Sequence, residues 1–175
     1  AMQDELDCYF FIADYHSLTT HPTPGSIYQD ARTILVQYLA AGLDPEKATI
    51  YLQSDLPETI ELYLFLNMNA YLGELERVTS FKDKVRQNPN NVNAGLLTYP
   101  TLMAADILIH KATRVPVGKD QEQHLEMTRT FAQRFNNMYH SEVFPLPQAI
   151  GSKTGLVKIP ALNGSGKMGK SEGEA

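Results

Sequence analysis

The 175-residue sequence predicts a parallel α/β fold. Three features lead there. Apolar runs of strand length stand at residues 8–14, 48–55 and 113–118, stretches of helical spacing lie between and after them, and glycine or proline marks several changeovers. Parallel strands need a crossover, usually helical, so repeated alternation of the two kinds of segment points to a Rossmann-type sheet flanked by helices.

In chain order, "CYFFIAD" (residues 8–14) is a short apolar run ending in a carboxylate and reads as a buried strand. "SLTTHPTPGS" is turn-rich and reads as a loop. Over residues 27–41, Ala31, Ile34, Leu35, Tyr38 and Leu39 recur as a helical stripe that Gly42 terminates. "ATIYLQSD" (48–55) is a second strand; Pro57 suits a helix start, and residues 58–75 continue helically. "KDKVRQNPNN" (82–91) is polar without periodicity and reads as a mobile loop. Residues 93–111 form the longest apolar-rich helical candidate, with Pro100 as a boundary or kink. "TRVPVG" (113–118) is a third strand, and Asp120 opens a helix to about residue 136. Residues 143–162 are punctuated by proline and glycine, with "GLVKIPAL" as a fourth strand.

Apolar residues make up 43% and charged residues 20%, an ordinary balance for one globular domain, expected here to cover residues 1–175. No apolar run is long enough to cross a bilayer, and the acidic start "AMQDELD" lacks the layout of a secretory signal. The one cysteine, Cys8, has no internal partner for a disulfide, which suits the reducing cytoplasm. A net charge of −5 does not advertise nucleic-acid binding by the whole chain, although a local basic patch stays compatible with it. The opening without Met, and a stop shortly after the last motif, suggest part of a longer protein.

That last motif poses a choice. "GSGKMGKS" (164–171) satisfies the P-loop pattern, yet also contains Lys-Met-x-Lys-Ser. A P-loop follows directly from a strand, opens a helix and normally begins its domain; here Pro160 interrupts the approach and every expected strand comes first. The second reading fits better. Lys167 and Lys170, on a segment made pliable by Gly164, Gly166 and Gly169, can both reach one triphosphate and stabilise charge moving onto departing pyrophosphate. A solvated basic loop is the bland alternative.

Two further constellations bear on the choice. In "LLTYPTLMAADILIH", Tyr99, Met103, Asp106 and His110 share one helix face. A carboxylate on that apolar face is costly to bury without a donor. The donor is either internal, an arginine or backbone amide, or a flat apolar ligand bearing one N–H against Met103. In "VPVGKDQEQHLEM", a strand ends at Gly118 and a helix starts at Asp120, the junction where parallel α/β sheets hold ligands. Gly118 permits close approach, Asp120 can accept ribose hydroxyls and Gln121 can hold a polar head group; Asp120 with Gln123 also fits a helix capping box.

Together, "TYPTLMAADIL", "VPVGKDQEQHLEMTR", "FKDK" and the Lys-Met-x-Lys-Ser loop, in this order, resemble the tryptophanyl-tRNA synthetases, class I enzymes with a Rossmann catalytic domain. The resemblance runs from "CYFFIAD" to "KMGKS". It implies joining of L-tryptophan to ATP, with Mg²⁺ arriving on the nucleotide, then transfer to tRNA(Trp), in a homodimer. By matching positions, Asp106 resembles the acceptor for the indole N–H, Met103, Val117 and His16 resemble the pocket lining, and Tyr99 and Gln121 resemble the holders of the substrate ammonium. Gly118, Lys119 and Asp120 resemble nucleotide contacts, with Ile159 on the adenine side. Lys167, Met168, Gly169, Lys170 and Ser171 match the phosphate loop, and Lys84 a further phosphate-reaching lysine. Gly169 replaces the usual serine of that loop. The His-Ile-Gly-His-type signature and the anticodon-reading helices of the family are not in this sequence, so this chain alone is not expected to complete aminoacylation. His21, His124 and His140 lack metal-ligand spacing and read as surface or packing residues. A P-loop NTPase and a non-catalytic tryptophan-binding fragment are the rival classes.

Overall fold

The computed structural model describes residues 2–118 and 121–150. Strand β1 (Cys8–Ile12) pairs in parallel with β2 (Ala48–Leu52), Cys8 facing Ala48 and Ile12 facing Leu52. A second parallel pair joins β3 (Arg114–Pro116) to β4 (Gln148–Ile150). The α/β class with parallel strands is as the sequence predicts, although the described strands form two pairs rather than one continuous sheet. Strand β4 lies in the stretch punctuated by proline and glycine, ahead of residues 155–162, the expected fourth strand, which lie outside the described residues.

Each strand is shorter than its apolar run, and the surplus residues do other work. After β1, Asp14 starts helix α1 (Asp14–Ser17); after β2, residues Gln53–Asp55 close into a 3₁₀ turn. Asp14 Oδ1 accepts the backbone N–H groups of both Tyr15 (3.0 Å) and Ser54 (3.1 Å), tying the carboxyl ends of the two strands together.

Helix α2 (Ser26–Ala40) ends as expected at Gly42, whose φ of +92° is the left-handed conformation glycine adopts without steric cost. Gly42 N–H donates to Leu39 C=O and Leu43 N–H to Tyr38 C=O, a Schellman closure. The single helix expected over residues 58–75 is instead α3 (Glu58–Asn69) and α4 (Leu72–Leu75). The break has a tertiary cause: Arg134 Nη1 donates to the Asn69 carbonyl at 2.5 Å, while Ala70 turns extended.

The expected loop at 82–91 is mostly wrong. Thr79–Gln87 form helix α5, followed by a 3₁₀ turn at Pro89–Asn91. Phe81 and Val85, one turn apart and half-buried, supply the inner face that the polar composition hid, and Gln123 Oε1 accepts the free N–H of Thr79 at 3.1 Å. The long candidate at 93–111 divides near Pro100, as anticipated. Helix α6 (Ala94–Leu97) is N-capped by Asn93 Oδ1, and α7 (Tyr99–Leu108) carries Pro100 in its first turn. Helix α8 (Glu122–Met138) starts after Gln121. The side-chain oxygen of Gln123 serves α5, while Asp120, the other half of the expected capping box, lies outside the described residues.

Helix α7 is the centre of the domain, packed between α3 and α8. Only Tyr99 and Met103 of its residues escape full burial, so it reads as apolar nearly all round, the mark of an interior helix. Ala104, Ala105 and Leu108 meet Leu66 of α3 and Phe131 and Ala132 of α8, with Leu75 and Phe144 closing the cluster. Burying side chains of the size of Leu108 or Phe131 contributes about 1.5–3 kcal/mol each. That packing makes α7 a rigid carrier for the residues at its edge.

Candidate functional site

Asp106 projects from α7 and is only 4% exposed. A buried carboxylate needs donors, and two arrive from the carboxyl ends of β1 and β2. His16 of α1 places Nε2 2.8 Å from Oδ2, and Gln53, from the turn after β2, donates Nε2–H to Oδ1 at 2.7 Å. Among the described residues no arginine or lysine pairs with Asp106; its donors are nevertheless internal, as one of the two expectations had it, but they are His16 and Gln53 instead of an arginine or a backbone amide. Two accepted bonds use about half of a carboxylate's roughly four acceptor positions, so further N–H groups can still be taken.

The His16 ring turns Nε2 to the carboxylate, which leaves Nδ1 on the side of the ring away from Asp106. That Nδ1 is buried with no hydrogen-bond partner among the described residues. Tyr99 lies against the same ring with centroids 4.4 Å apart, and it also meets His124 edge-on at 5.6 Å. Burial pushes the Tyr99 phenol up, and the nearby Asp106 carboxylate adds to the effect. His124 in turn is buried and bonds Ser80 of α5 through Nε2 at 2.7 Å. A packing role for His124 was expected; its place beside Tyr99 was not.

His110, expected on the same helical face as Asp106, lies just past the end of α7. Its Nε2 is 2.6 Å from the Tyr51 hydroxyl, and Tyr9 stacks on its ring at 4.5 Å. Burial lowers the His110 pKa against the pull of Asp106, and burial first, then Asp106 and Tyr9, raises Tyr51 to about 12.

The other sequence-predicted residues fall in three groups. Met103 is half-buried on α7 beside Tyr99 and Asp106 in the same helix. Val117 and Gly118 follow β3, and the Gly118 carbonyl accepts the Gln121 N–H at 2.9 Å, which places Gln121 at the entry of α8. Lys84 is exposed on α5. Lys119, Asp120, Ile159, Lys167, Met168, Gly169, Lys170 and Ser171 lie outside the described residues.

Sequence reasoning missed Gln53 because residues 48–55 read as one strand. Its position at the carboxyl end of a parallel strand was the available signal. His124 was also legible, since it shares a buried stripe with Leu125, Thr128, Phe131 and Ala132. Among the described residues, no three His, Cys, Asp or Glu side chains converge as metal ligands, and no helix is long and apolar enough to cross a membrane.

Relatives confirm the architecture. The chain is 67% identical over 174 residues to a tryptophan–tRNA ligase of Porphyromonas gingivalis, covering 99% of this chain and 53% of that protein. It is 46% identical over 170 residues to the ligase of the same name from Clostridium tetani, covering 97% and 50%. A solved tryptophanyl-tRNA synthetase from Campylobacter jejuni, complexed with ADP and tryptophan, matches with a TM-score of 0.90 at 38% identity, over 98% of this chain and 53% of that one. At 20% identity and a TM-score of 0.75, the tyrosyl-tRNA synthetase of Archaeoglobus fulgidus shares the fold alone. The chain thus spans about half the length of the curated relatives it matches. The family model described as "tRNA synthetases class I (W and Y)" matches residues 1–175, from first to last, and the chain belongs to that family.

Proposed function

We propose that this chain is the catalytic-domain portion, residues 1–175, of an enzyme that activates L-tryptophan with ATP and passes it to tRNA(Trp). The observation that carries the reading is Asp106, a buried carboxylate on an apolar helix whose partners are His16 and Gln53 rather than a lysine or arginine. Such a group suits the N–H of a flat apolar side chain and penalises ligands that leave it unpaired, by about 1–3 kcal/mol. Sites demanding a polar partner discriminate by roughly 10⁴–10⁵-fold. The similar Campylobacter jejuni structure, complexed with ADP and tryptophan, supports both ligand classes.

The reaction needs no side-chain nucleophile. A carboxylate oxygen of tryptophan attacks the α-phosphorus of ATP, an O–P bond forms, and the bond to the β-phosphate oxygen breaks to release pyrophosphate. Positioning and charge stabilisation therefore supply the rate. Asp106, His16, Met103 and Val117 line the indole side; Tyr99 and Gln121 hold the ammonium; Gly118, Lys119, Asp120 and Ile159 take the nucleoside. Lys84, Lys167, Lys170, Met168, Gly169 and Ser171 serve the triphosphate, with Mg²⁺ entering as part of the substrate.

A second copy of the enzyme docks on the outer face of α3. Leu62, Tyr63 and Leu66 turn into the core, which leaves Leu64, Phe65 and Met68 outward beside Tyr71 and Leu72; Phe65 and Met68 are 60% and 76% exposed. Adjoining apolar side chains of that size fit a two-fold, self-complementary contact. Cys8 is a free thiol, in keeping with the cytoplasm.

The test is tryptophan-dependent ATP–pyrophosphate exchange by the full-length protein, with tyrosine as control. Exchange with tryptophan alone is the expected result. Exchange driven by tyrosine, or by neither amino acid, defeats the reading.

A further inference from the structure

We infer that Gln53 is a positioning residue of the tryptophan site, setting the orientation of Asp106 without touching the substrate. The inference rests on Asp106 being the indole acceptor, as proposed above. Gln53 is 1% exposed, and both ends of its amide are engaged. Oε1 accepts the backbone N–H of Tyr15 at 3.1 Å, and Nε2 donates to Asp106 Oδ1 at 2.7 Å.

A backbone N–H can only donate, so the amide is locked in one sense: turning it over would aim a donor at a donor and an acceptor at a carboxylate. Tyr15 adjoins His16, the other holder of Asp106, and its N–H is shared with Asp14 Oδ1. One residue thus links the ends of β1 and β2 to the edge of α7. The terminal torsion of an aspartate is broad, and His16 alone would leave Oδ1 free to swing. An acceptor meant to read one N–H must be held within about 0.5 Å, and Gln53 supplies the second point of attachment.

The experiment uses the full-length protein in ATP–pyrophosphate exchange with tryptophan and with its benzothiophene analogue, in which sulfur replaces the indole N–H. Gln53→Leu is expected to lower the preference for tryptophan about tenfold, through KM for tryptophan, with KM for ATP changed less than about twofold. Gln53→Glu keeps the shape and the acceptor for Tyr15 but sets a second carboxyl against Asp106. Two such groups share a proton more readily than either binds one alone, and the introduced carboxyl, once protonated, donates as the amide did. The preference of this variant should be poor near pH 8 and recover toward pH 6, whereas Gln53→Leu shows no recovery. His16 faces Asp106 directly, and Tyr51, Tyr99 and His110 feel its charge, so the wild-type pH profile is the reference.

Unchanged preference in both variants overturns the inference. So does an equal rise in KM for tryptophan and ATP, which marks a structural role only. Should Gln53→Leu fail to fold, as circular dichroism would reveal, the pH profile of Gln53→Glu decides alone. The wild-type protein tests the underlying reading separately: exchange without preference over the analogue removes Asp106 as indole reader, and Gln53's role with it.

Discussion

His16 Nε2 stands 2.8 Å from Asp106 Oδ2, although 90 positions separate the two in the chain. The contact joins the first strand's exit to the central helix and leaves His16 Nδ1 buried with no hydrogen-bond partner among the described residues. Removing either partner should cost stability and tryptophan binding together. His16→Ala and Asp106→Ala are each expected to lose about 1–3 kcal/mol of stability, because a buried polar atom, Asp106 Oδ2 in the first and His16 Nε2 in the second, loses its partner. Both should weaken tryptophan binding about 10–100-fold while the fold survives. Calorimetric titration of the full-length variants checks this, and unchanged affinity for Asp106→Ala would rule out the indole contact.

The Tyr51–His110 pair should give stability a two-sided pH dependence. Burial holds the Tyr51 pKa at about 12, above the value near 10 of an exposed phenol. Its contribution is whole below about pH 10 and is lost as pH rises toward 12. His110 is shifted down, so the unfolded chain takes up that proton first on acidification, and stability falls as pH drops below about 6.5. Half-exposure keeps both effects small. Tyr51→Phe should shrink the loss between pH 8 and pH 11 in chemical denaturation, and an identical loss in both proteins would refute the assignment.

Arg134 anchors α8 to the α3–α4 break. Its guanidinium donates to the Asn69 carbonyl, pairs with Glu74 Oε1 at 2.7 Å, and lies 4.5 Å from the centre of the Tyr71 ring. A lysine ammonium cannot make the forked and stacked contacts at once. Arg134→Lys is therefore expected to cost about 1–2 kcal/mol, most of the effect of Arg134→Ala. Equal stability of Arg134→Lys and wild type in urea titration would show that charge alone matters.

The α3 face gives an oligomer test. Phe65→Glu with Met68→Lys should shift the full-length protein toward monomer in sedimentation velocity, with little change in unfolding midpoint, since both side chains are exposed. Retention of the dimer would move the interface elsewhere.

For the phosphate loop, Lys167→Ala is expected to slow tryptophan activation about 10²–10³-fold, as for loss of one transition-state donor. A P-loop reading requires only Lys170, and near-normal exchange would favour it.

Much of this was legible in advance where local pattern and tertiary demand agree. The strand starts at Cys8 and Ala48, the Gly42 helix stop, the boundary near Pro100 and the apolar helix carrying Asp106 all follow from periodicity and backbone preference. The misses share one cause. Helix α5 is polar except at Phe81 and Val85, and its first turn is satisfied by Gln123, remote in sequence. The α3–α4 break depends on Arg134, and Gln53 looked like a strand residue until a turn aimed it at Asp106.

Spacing along the chain is enough to establish an alternating α/β order, a carboxylate embedded in an apolar helix, and the family those motifs resemble, because covalent neighbours set the period. Which groups satisfy that carboxylate was a matter for folding: His16 and Gln53, delivered by two different strand ends. Burial makes a donor obligatory without saying where it comes from, because any segment that packing brings within hydrogen-bond reach can provide it.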